Sequence, residues 1–255
     1  MDLGIQNKRV LISGASNGIG KELAYLFAKE GCHLTLLARS KMKLKHITNE
    51  LGGSKKGHYF FDIDLMPQGN PTKVSKKILN NIGAHEIIVH CVGGGLGVNN
   101  PFAIYSDWLK VWRFNVGIAI EINNIFINSL IKKKWGRIIH VSSIAARDGE
   151  ADTNKVAYAS SKAFLNHYLA GVSKAVVNKN IIFSGVMPGP IMTKGKFWEK
   201  EFKKNPAKEK KFIKKNYAIQ RFAKANEICP FILLLASKNA SYAAGTIIPV
   251  DGGKF

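Results

Sequence analysis

Acidic side chains are scarce in this chain: 17 Asp and Glu stand against 38 Lys and Arg over 255 residues, for a net charge of +21. A surplus of that size attracts anions, whether an acidic substrate, an anionic surface or nucleic acid. The plainest reading is a solvated basic surface in a chain also rich in Asn and Ile. An anionic substrate ranks next and nucleic acid last, because no nucleic-acid-binding motif accompanies the charge. Cysteine is scarce too. Cys32, Cys91 and Cys229 are odd in number, far apart and set in apolar surroundings, which argues against a disulfide framework or a zinc cluster and fits a reducing compartment. The histidines show no H-E-x-x-H or comparable spacing, so no metal is expected. The N-terminus lacks a charged segment followed by an apolar one, and "ICPFILLLA" is far too short to span a bilayer. A cytoplasmic protein without membrane insertion is expected. With no internal repeat and no Pro/Gly/Ser-rich linker, residues 1–255 read as one domain.

Short apolar runs alternate with helical patterns: "RVLIS", a helix from about Gly18 to Lys29, "HLTLLA", a helix over Lys41 to Leu51, "HYFF", and a helix in the seventies. "EIIVHC", a long helix from Asp107 to Lys133, "RIIHVSS", a helix from Val156 to Val177, "IIFSGV", a helix from Asn226 to Ala236 and "TIIPV" follow. Strands interleaved with helices imply a doubly wound α/β domain with a mainly parallel, seven-stranded sheet covered on both faces. Such sheets bind ligands beyond the carboxyl ends of their strands, where Gly14, Arg39, Asp62, Gly93, Ser143 and Pro188 fall.

After the first strand comes "SGASNGIG". Gly14, Gly18 and Gly20 allow a tight turn and close approach of a pyrophosphate, and the following helix offers unpaired N–H donors. The second strand ends "LLARSK", with no carboxylate for a free ribose 2'-hydroxyl; Arg39 and Ser40 suit a 2'-phosphate. NADP(H) is the expected cofactor and NAD(H) the alternative. Asp62 in "FDID" is the candidate partner of the adenine amino group, with Asp64 its rival. In "VAYASSKAFL", Tyr158 and Lys162 lie one helical turn apart on one face. That spacing alone does not separate a catalytic pair from a core aromatic and its neighbour.

Taken in order, "SGASNGIG", "FNV" with Asn115, "SSIAA" with Ser142 and Ser143, "YASSK", "MPGPIMT" and "VDGG" resemble the short-chain dehydrogenase/reductase family over the whole chain, most of all the branch of β-ketoacyl-ACP reductases. The resemblance implies a single Rossmann-type domain. It also implies Tyr158 as general acid or base, Lys162 favouring the phenolate and contacting the nicotinamide ribose, Ser143 holding the substrate oxygen, and Asn115 holding a water that links Lys162 to solvent. The cofactor contacts it implies are Gly14, Ser16, Asn17, Gly18, Ile19, Gly20, Arg39, Ser40, Asp62, Gly93, Tyr158, Lys162, Pro188, Gly189, Ile191 and Thr193.

The chain departs from the family where N-N-A-G becomes "HCVG". His90 and Cys91 are neighbours on a strand, so their side chains face opposite ways and read as buried structural groups. A substrate lid is expected at about 190–217, with Phe197, Trp198, Phe202, Phe212 and Ile213 forming the apolar faces of two short helices broken near Pro206. Its lysines either steer an anionic substrate or are simply solvated. Residues 145–157 are expected to wall the pocket, with Arg147 a candidate anion contact. The apolar stripes on the long helices, and relatives by analogy, point to a homodimer or homotetramer.

The function expected is hydride transfer between NADP(H) and a carbonyl or secondary alcohol. The substrate is small or carrier-linked, such as a 3-oxoacyl thioester. A reductase or dehydrogenase of sugars or nucleotide-sugars, and a non-catalytic dinucleotide sensor, are the alternatives.

Overall fold

The structure, a computed structural model, describes residues 1–147 and 153–254. Seven parallel strands form one sheet in the order β3-β2-β1-β4-β5-β6-β7. They are β1 (Arg9–Ser13), β2 (His33–Ala38), β3 (Tyr59–Asp62), β4 (Ile87–His90), β5 (Gly136–Val141), β6 (Ile181–Pro188) and β7 (Ile247–Val250). The central strands β1 and β4 to β6 are almost wholly buried, as a parallel sheet covered on both faces requires. The break between the paths β1-β2-β3 and β4-β5-β6 puts a crevice at the carboxyl ends of β1 and β4, which are paired through Ser13 and His90.

Two apolar layers cover the sheet. On one side, α1 (Gly18–Lys29), α2 (Lys41–Glu50) and α9 (Ala225–Ala236) bury Leu23, Phe27, Leu44, Ile47 and Ile232 against Val10, Ile12, Val89 and Ile139. On the other, α3 (Asn70–Asn81), α5 (Ile118–Lys133) and α6 (Val156–Val176) bury Ile78, Ile122, Phe126 and Leu169 against Leu11, Ile88, Ile138 and Phe183.

The helix expected from Asp107 begins earlier and is not uniform. It comprises α4 (Tyr105–Trp112), a π-turn at Arg113–Gly117 and α5. The stretch Tyr105–Lys133 is long and apolar enough to cross a membrane, but half of its most apolar window is buried inside the fold. The buried half, with Ile118, Ile122, Phe126 and Leu130, is packed on the sheet. The other expected helices end within a residue or two of the observed bounds, the usual fraying of helix termini.

Between β6 and α9 lie α7 (Phe197–Lys204) and α8 (Pro206–Asn216). Pro206 sits in the first turn of α8, where its missing N–H costs nothing, and the Asn205 side chain caps the helix by accepting from Lys208 N at 3.0 Å. The expected break near Pro206 is thus a helix start. Trp198 stacks on Phe212 at 5.4 Å between centroids and meets Phe222 at 5.5 Å, giving the helix pair an aromatic core of its own.

Candidate active site

The first turn after β1 is shaped for an anion. Gly14 and Gly18 take φ values of +79° and +55°, and a Cβ on Gly20 would strike the Gly14 carbonyl oxygen. Asn17 is the N-cap of α1 and accepts from Gly18 N at 2.9 Å, with Ser16 and Ile19 half-buried beside it. The open helix N-terminus faces the crevice and is ready for a phosphate. The segment after β6 closes over it. Asn17 Nδ2 donates to the Lys194 carbonyl at 2.9 Å, and the Thr193 methyl lies 3.1 Å from where a Gly18 Cβ would be. Pro188 ends β6, Gly189 N bonds Val250 O at 3.1 Å, and Ile191 bridges to Ala223, so all four residues line one side of the crevice.

At the end of β2, Arg39 is exposed and has no ion-pair partner among the described residues, and Ser40 caps α2 without a side-chain bond. Both remain available to a 2'-phosphate. The rivalry between two aspartates resolves on geometry: Asp64 accepts from Met66 N at 3.0 Å and its carbonyl takes Asn70 Nδ2, whereas the exposed Asp62 carboxylate has no partner among the described residues. Asp64 thus caps a turn, and the Asp62 carboxylate is left exposed. Two glycine turns, an open helix end, a free guanidinium and a free carboxylate together fit a dinucleotide.

Below the other end of the crevice lies Gly93. A Cβ there would come within 2.7 Å of Asn115 Oδ1 and 2.9 Å of Lys162 Nζ, so only glycine fits. The π-turn explains how Asn115 arrives. Widening the helix by one residue frees the Val111 carbonyl, which accepts Asn115 Nδ2 at 2.8 Å, and turns the amide toward Gly94. Gly94 N donates to Asn115 Oδ1 and Asn115 Nδ2 donates to Gly94 O, each at 2.9 Å. The amide therefore clamps the loop after β4.

His90 and Cys91 face opposite layers, as expected. Cys91 packs against the side of α1 and α9, and burial raises its thiol pKa. His90 Nε2 meets Asn123 Oδ1 on α5 at 2.8 Å.

Tyr158 occupies the first turn of α6 and Lys162 the next. The Ser143 hydroxyl lies beside the Tyr158 phenol and favours its ionised form, and Ser143 also accepts from Ala145 N at 3.2 Å. Ser142 instead donates to Asn166 Oδ1 at 2.6 Å and is buried, which leaves Ser143 as the serine at the tyrosine. Lys162 is 2% exposed and donates to the Val141 carbonyl at 2.7 Å. That carbonyl is the only acceptor it reaches among the described residues, although an ammonium carries three donors. Desolvation lowers its pKa from 10.5 to about 8. A buried ammonium with no carboxylate beside it among the described residues, in a crevice, marks a candidate functional site.

Burial raises the Tyr158 phenol pKa and the Ser143 hydroxyl opposes the rise, while the Lys162 ammonium, 5.9 Å from the ring centroid, donates to the Val141 carbonyl.

Arg147 is not a free anion contact. Its guanidinium lies 3.8 Å from the Asp251 carboxylate, which ties the segment after Ser143 to the tail after β7. Of the wall expected over residues 145–157, residues 148–152 lie outside the described residues. Sequence reasoning missed three participants: Gly94 as the partner of Asn115, Asp251 as that of Arg147, and Lys155 at the start of α6. "VDGG" marked the place of Asp251 without a role, and a lysine where helices prefer Ser, Thr, Asp or Asn marked Lys155.

The family model described as short chain dehydrogenase matches residues 8–203. The 3-oxoacyl-[acyl-carrier-protein] reductase of Aquifex aeolicus is 27% identical over 259 residues, covering 100% of both chains. Among solved structures, L-sorbose reductase from Gluconobacter frateurii complexed with NADPH and L-sorbose superposes with a TM-score of 0.89 at 28% identity, covering 99% of this chain and 98% of the other. A 7α-hydroxysteroid dehydrogenase complexed with NADH and 7-oxo glycochenodeoxycholic acid gives 0.88 at 25% identity, covering 99% and 96%. With the sheet order, the glycine turn and the Ser143, Tyr158 and Lys162 cluster in place, the chain belongs to the short chain dehydrogenase family of oxidoreductases.

Proposed function

We propose that this chain reduces a carbonyl, or oxidises the corresponding secondary alcohol, with NADP(H). The observation that carries the reading is Lys162, buried and donating to the Val141 carbonyl at 2.7 Å, one helical turn from Tyr158 and with Ser143 beside that phenol, in the crevice that begins at the phosphate loop. The nicotinamide, when bound, supplies the hydride. In reduction, the Ser143 hydroxyl donates to the substrate oxygen and holds it against Tyr158. As the carbonyl carbon takes the hydride, the π electrons move onto that oxygen, and Tyr158 gives it the phenolic proton. The Lys162 ammonium then stabilises the phenolate left behind, and its spare donors suit ribose hydroxyls. Asn115 positions the loop from Gly93 to Gly94 against the cofactor. Gly14, Ser16, Asn17, Gly18, Ile19, Gly20, Asp62, Pro188, Gly189, Ile191 and Thr193 complete the cradle.

Solved relatives hold either NADPH or NADH, so the choice rests on this chain's own residues. Arg39 and Ser40, unpaired and without a carboxylate at that position, favour the 2'-phosphate. α7 and α8 form the lid. Their lysines favour an anionic substrate such as a 3-oxoacyl thioester, in keeping with the acyl-carrier-protein reductase likeness. A sugar is the second reading, favoured by the equal likeness to a sorbose reductase. The free, mostly buried cysteines suit the cytoplasm.

Nicotinamide fluorescence titrations of wild type and Arg39→Asp with NADPH and NADH test the cofactor. Losing the charge-assisted bonds weakens NADPH by roughly 10- to 100-fold and spares NADH. Turnover assays with acetoacetyl-CoA and L-sorbose follow, with Tyr158→Phe about 10²- to 10⁴-fold slower. Absence of binding by either nucleotide overturns the reading in favour of a protein that has lost turnover with its "N-N-A-G".

A further inference from the structure

Lys155 breaks a local rule. It holds the N-cap position of α6, with φ −139° and ψ 16° and no side-chain cap bond. Side-chain acceptors are favoured there, and a cation at the positive end of a helix dipole is disfavoured. Residues that violate local preference mark places where something else is being served. The ammonium of Lys155 lies 5.3 Å from the ring centroid of Phe197 and 5.0 Å from that of Trp198, the first two residues of α7. Both distances are within the range of cation–ring attraction. The rings meet edge to face at 5.1 Å and lead through Trp198 into the aromatic core shared with Phe212 and Phe222. Three residues along α6 stands Tyr158.

The helix pair is pinned at its two ends. Asn17 Nδ2 holds the Lys194 carbonyl beside the phosphate loop, and Ala218 N and Ile219 N bond Gly253 O and Gly252 O at 2.8 and 3.0 Å. Between those pins, Lys155 reaches α7 from the catalytic helix.

We propose that Lys155 is a positioning residue that latches α7–α8 to the first turn of α6, so that closure over substrate and placement of the Tyr158 hydroxyl are set together. The proposal rests on the reading of Tyr158 as the acid and α7–α8 as the lid. It differs from substrate steering, because the charge lies against two rings of α7 and also acts on the Glu201 carboxylate of that helix.

The lid's lysines make trypsin the probe. Full-length protein saturated with NADPH is digested briefly, and cuts within residues 194–215 are scored by mass spectrometry. Cleavage there tracks the open population when closing is fast. Lys155→Met, which keeps the aliphatic stem, raises the cleavage rate about 3- to 30-fold, and Lys155→Arg restores the wild-type rate. Phe197→Leu, a change at a half-exposed ring, removes one of the two ring contacts and speeds cleavage by a smaller factor, and the double variant cleaves no faster than Lys155→Met alone, because that change already removes the contact Phe197 makes with Lys155. With acetoacetyl-CoA, Lys155→Met raises KM and lowers kcat, and NADPH affinity is unchanged.

Equal cleavage in Lys155→Met and wild type, no rescue by Lys155→Arg, or full additivity with Phe197→Leu overturns the latch. Tyr158→Phe separates the two readings: it abolishes turnover while leaving lid cleavage at the wild-type rate. If Tyr158→Phe still turns over, the catalytic reading fails and the cleavage comparison decides the latch by itself.

Discussion

Lys162 carries a charge that its surroundings resist. It is buried and faces no carboxylate among the described residues, and burial lowers its pKa from 10.5 to about 8. The ammonium form stabilises the phenolate that reduction creates, so activity needs the proton in place. The pH profile of kcat/KM, which reports the free enzyme, is expected to fall on an alkaline limb near pH 8. Lys162→Arg keeps a charge that does not titrate there and removes that limb from whatever activity survives. A wild-type profile flat to pH 10 would contradict the assignment. Gly93 yields a second test at one residue. Its Cβ has no room between Asn115 and Lys162, so Gly93→Ala displaces one of them and is expected to lower kcat by 10-fold or more, about the effect of a small misplacement, while NADPH binding shows that the fold persists. Tyr158, Lys162 and Ser143 were legible because their chemistry is local: a four-residue spacing on one helix and a strand end. The bond partners of Asn115 and Arg147 were not, since Gly94 and Asp251 reach them only through the packing of the sheet.

At the scale of elements, β4 and β5 pair His90 with His140, and their rings lie 4.5 Å apart under α5 and α6. Asn123 Oδ1 can only accept, so His90 Nε2 donates to it and Nδ1 faces the Ser13 hydroxyl at 3.4 Å. The Asn123 amide then serves Tyr168 at 3.2 Å and His140 Nε2 at 3.4 Å, and His140 Nδ1 is left without a partner among the described residues. Burial holds His90 and His85 near pKa 4 and His140 well below the ordinary imidazole value. Because the folded values are depressed, the unfolded chain binds protons first as pH falls. Stability is full above about pH 6.5 and declines down to about pH 4, each histidine contributing a slope of up to roughly 1.4 kcal/mol per pH unit. Urea unfolding at several pH values in that window checks this, and His90→Asn, which restores the family's asparagine, is expected to reduce the slope by one histidine's share. Identical slopes would remove His90 from the account. The strands and the inward face of His90 were readable from the two-residue period. The π-turn was not, because one added residue in a helix leaves the apolar pattern on either side almost unchanged.

At the scale of the molecule, an apolar surface remains uncovered along the helices beside the crevice. Phe102, Ile104, Tyr105 and Leu109 before and along α4, and Phe164 on α6, are exposed, and Trp112 meets Phe164 edge to face at 5.7 Å. Exposed apolar residues gathered on one face mark an interaction surface, and the expected homo-oligomer fits it. Light scattering should give a multiple of 28.1 kDa, and Leu109→Glu with Phe164→Glu should shift the particle toward the monomer. A monomeric wild type would refute the expectation.

The net charge of +21 is the other whole-molecule property, and its meaning turns on where the charge is compensated. Along α7 and α8, Lys203 pairs with Glu199 and Lys204 with Glu201, yet ten lysines between Lys194 and Lys215 face only three glutamates. If that surplus steers an anionic substrate to the crevice, association is screened by salt. KM for acetoacetyl-CoA should then rise several-fold between 20 and 300 mM salt, as the Debye length falls from about 20 Å to below 8 Å. The same acyl group on an uncharged thiol should show no such rise, because the chemistry at Tyr158 is identical and only the distant charge differs. A parallel rise for both substrates would assign the lysines to a solvated surface.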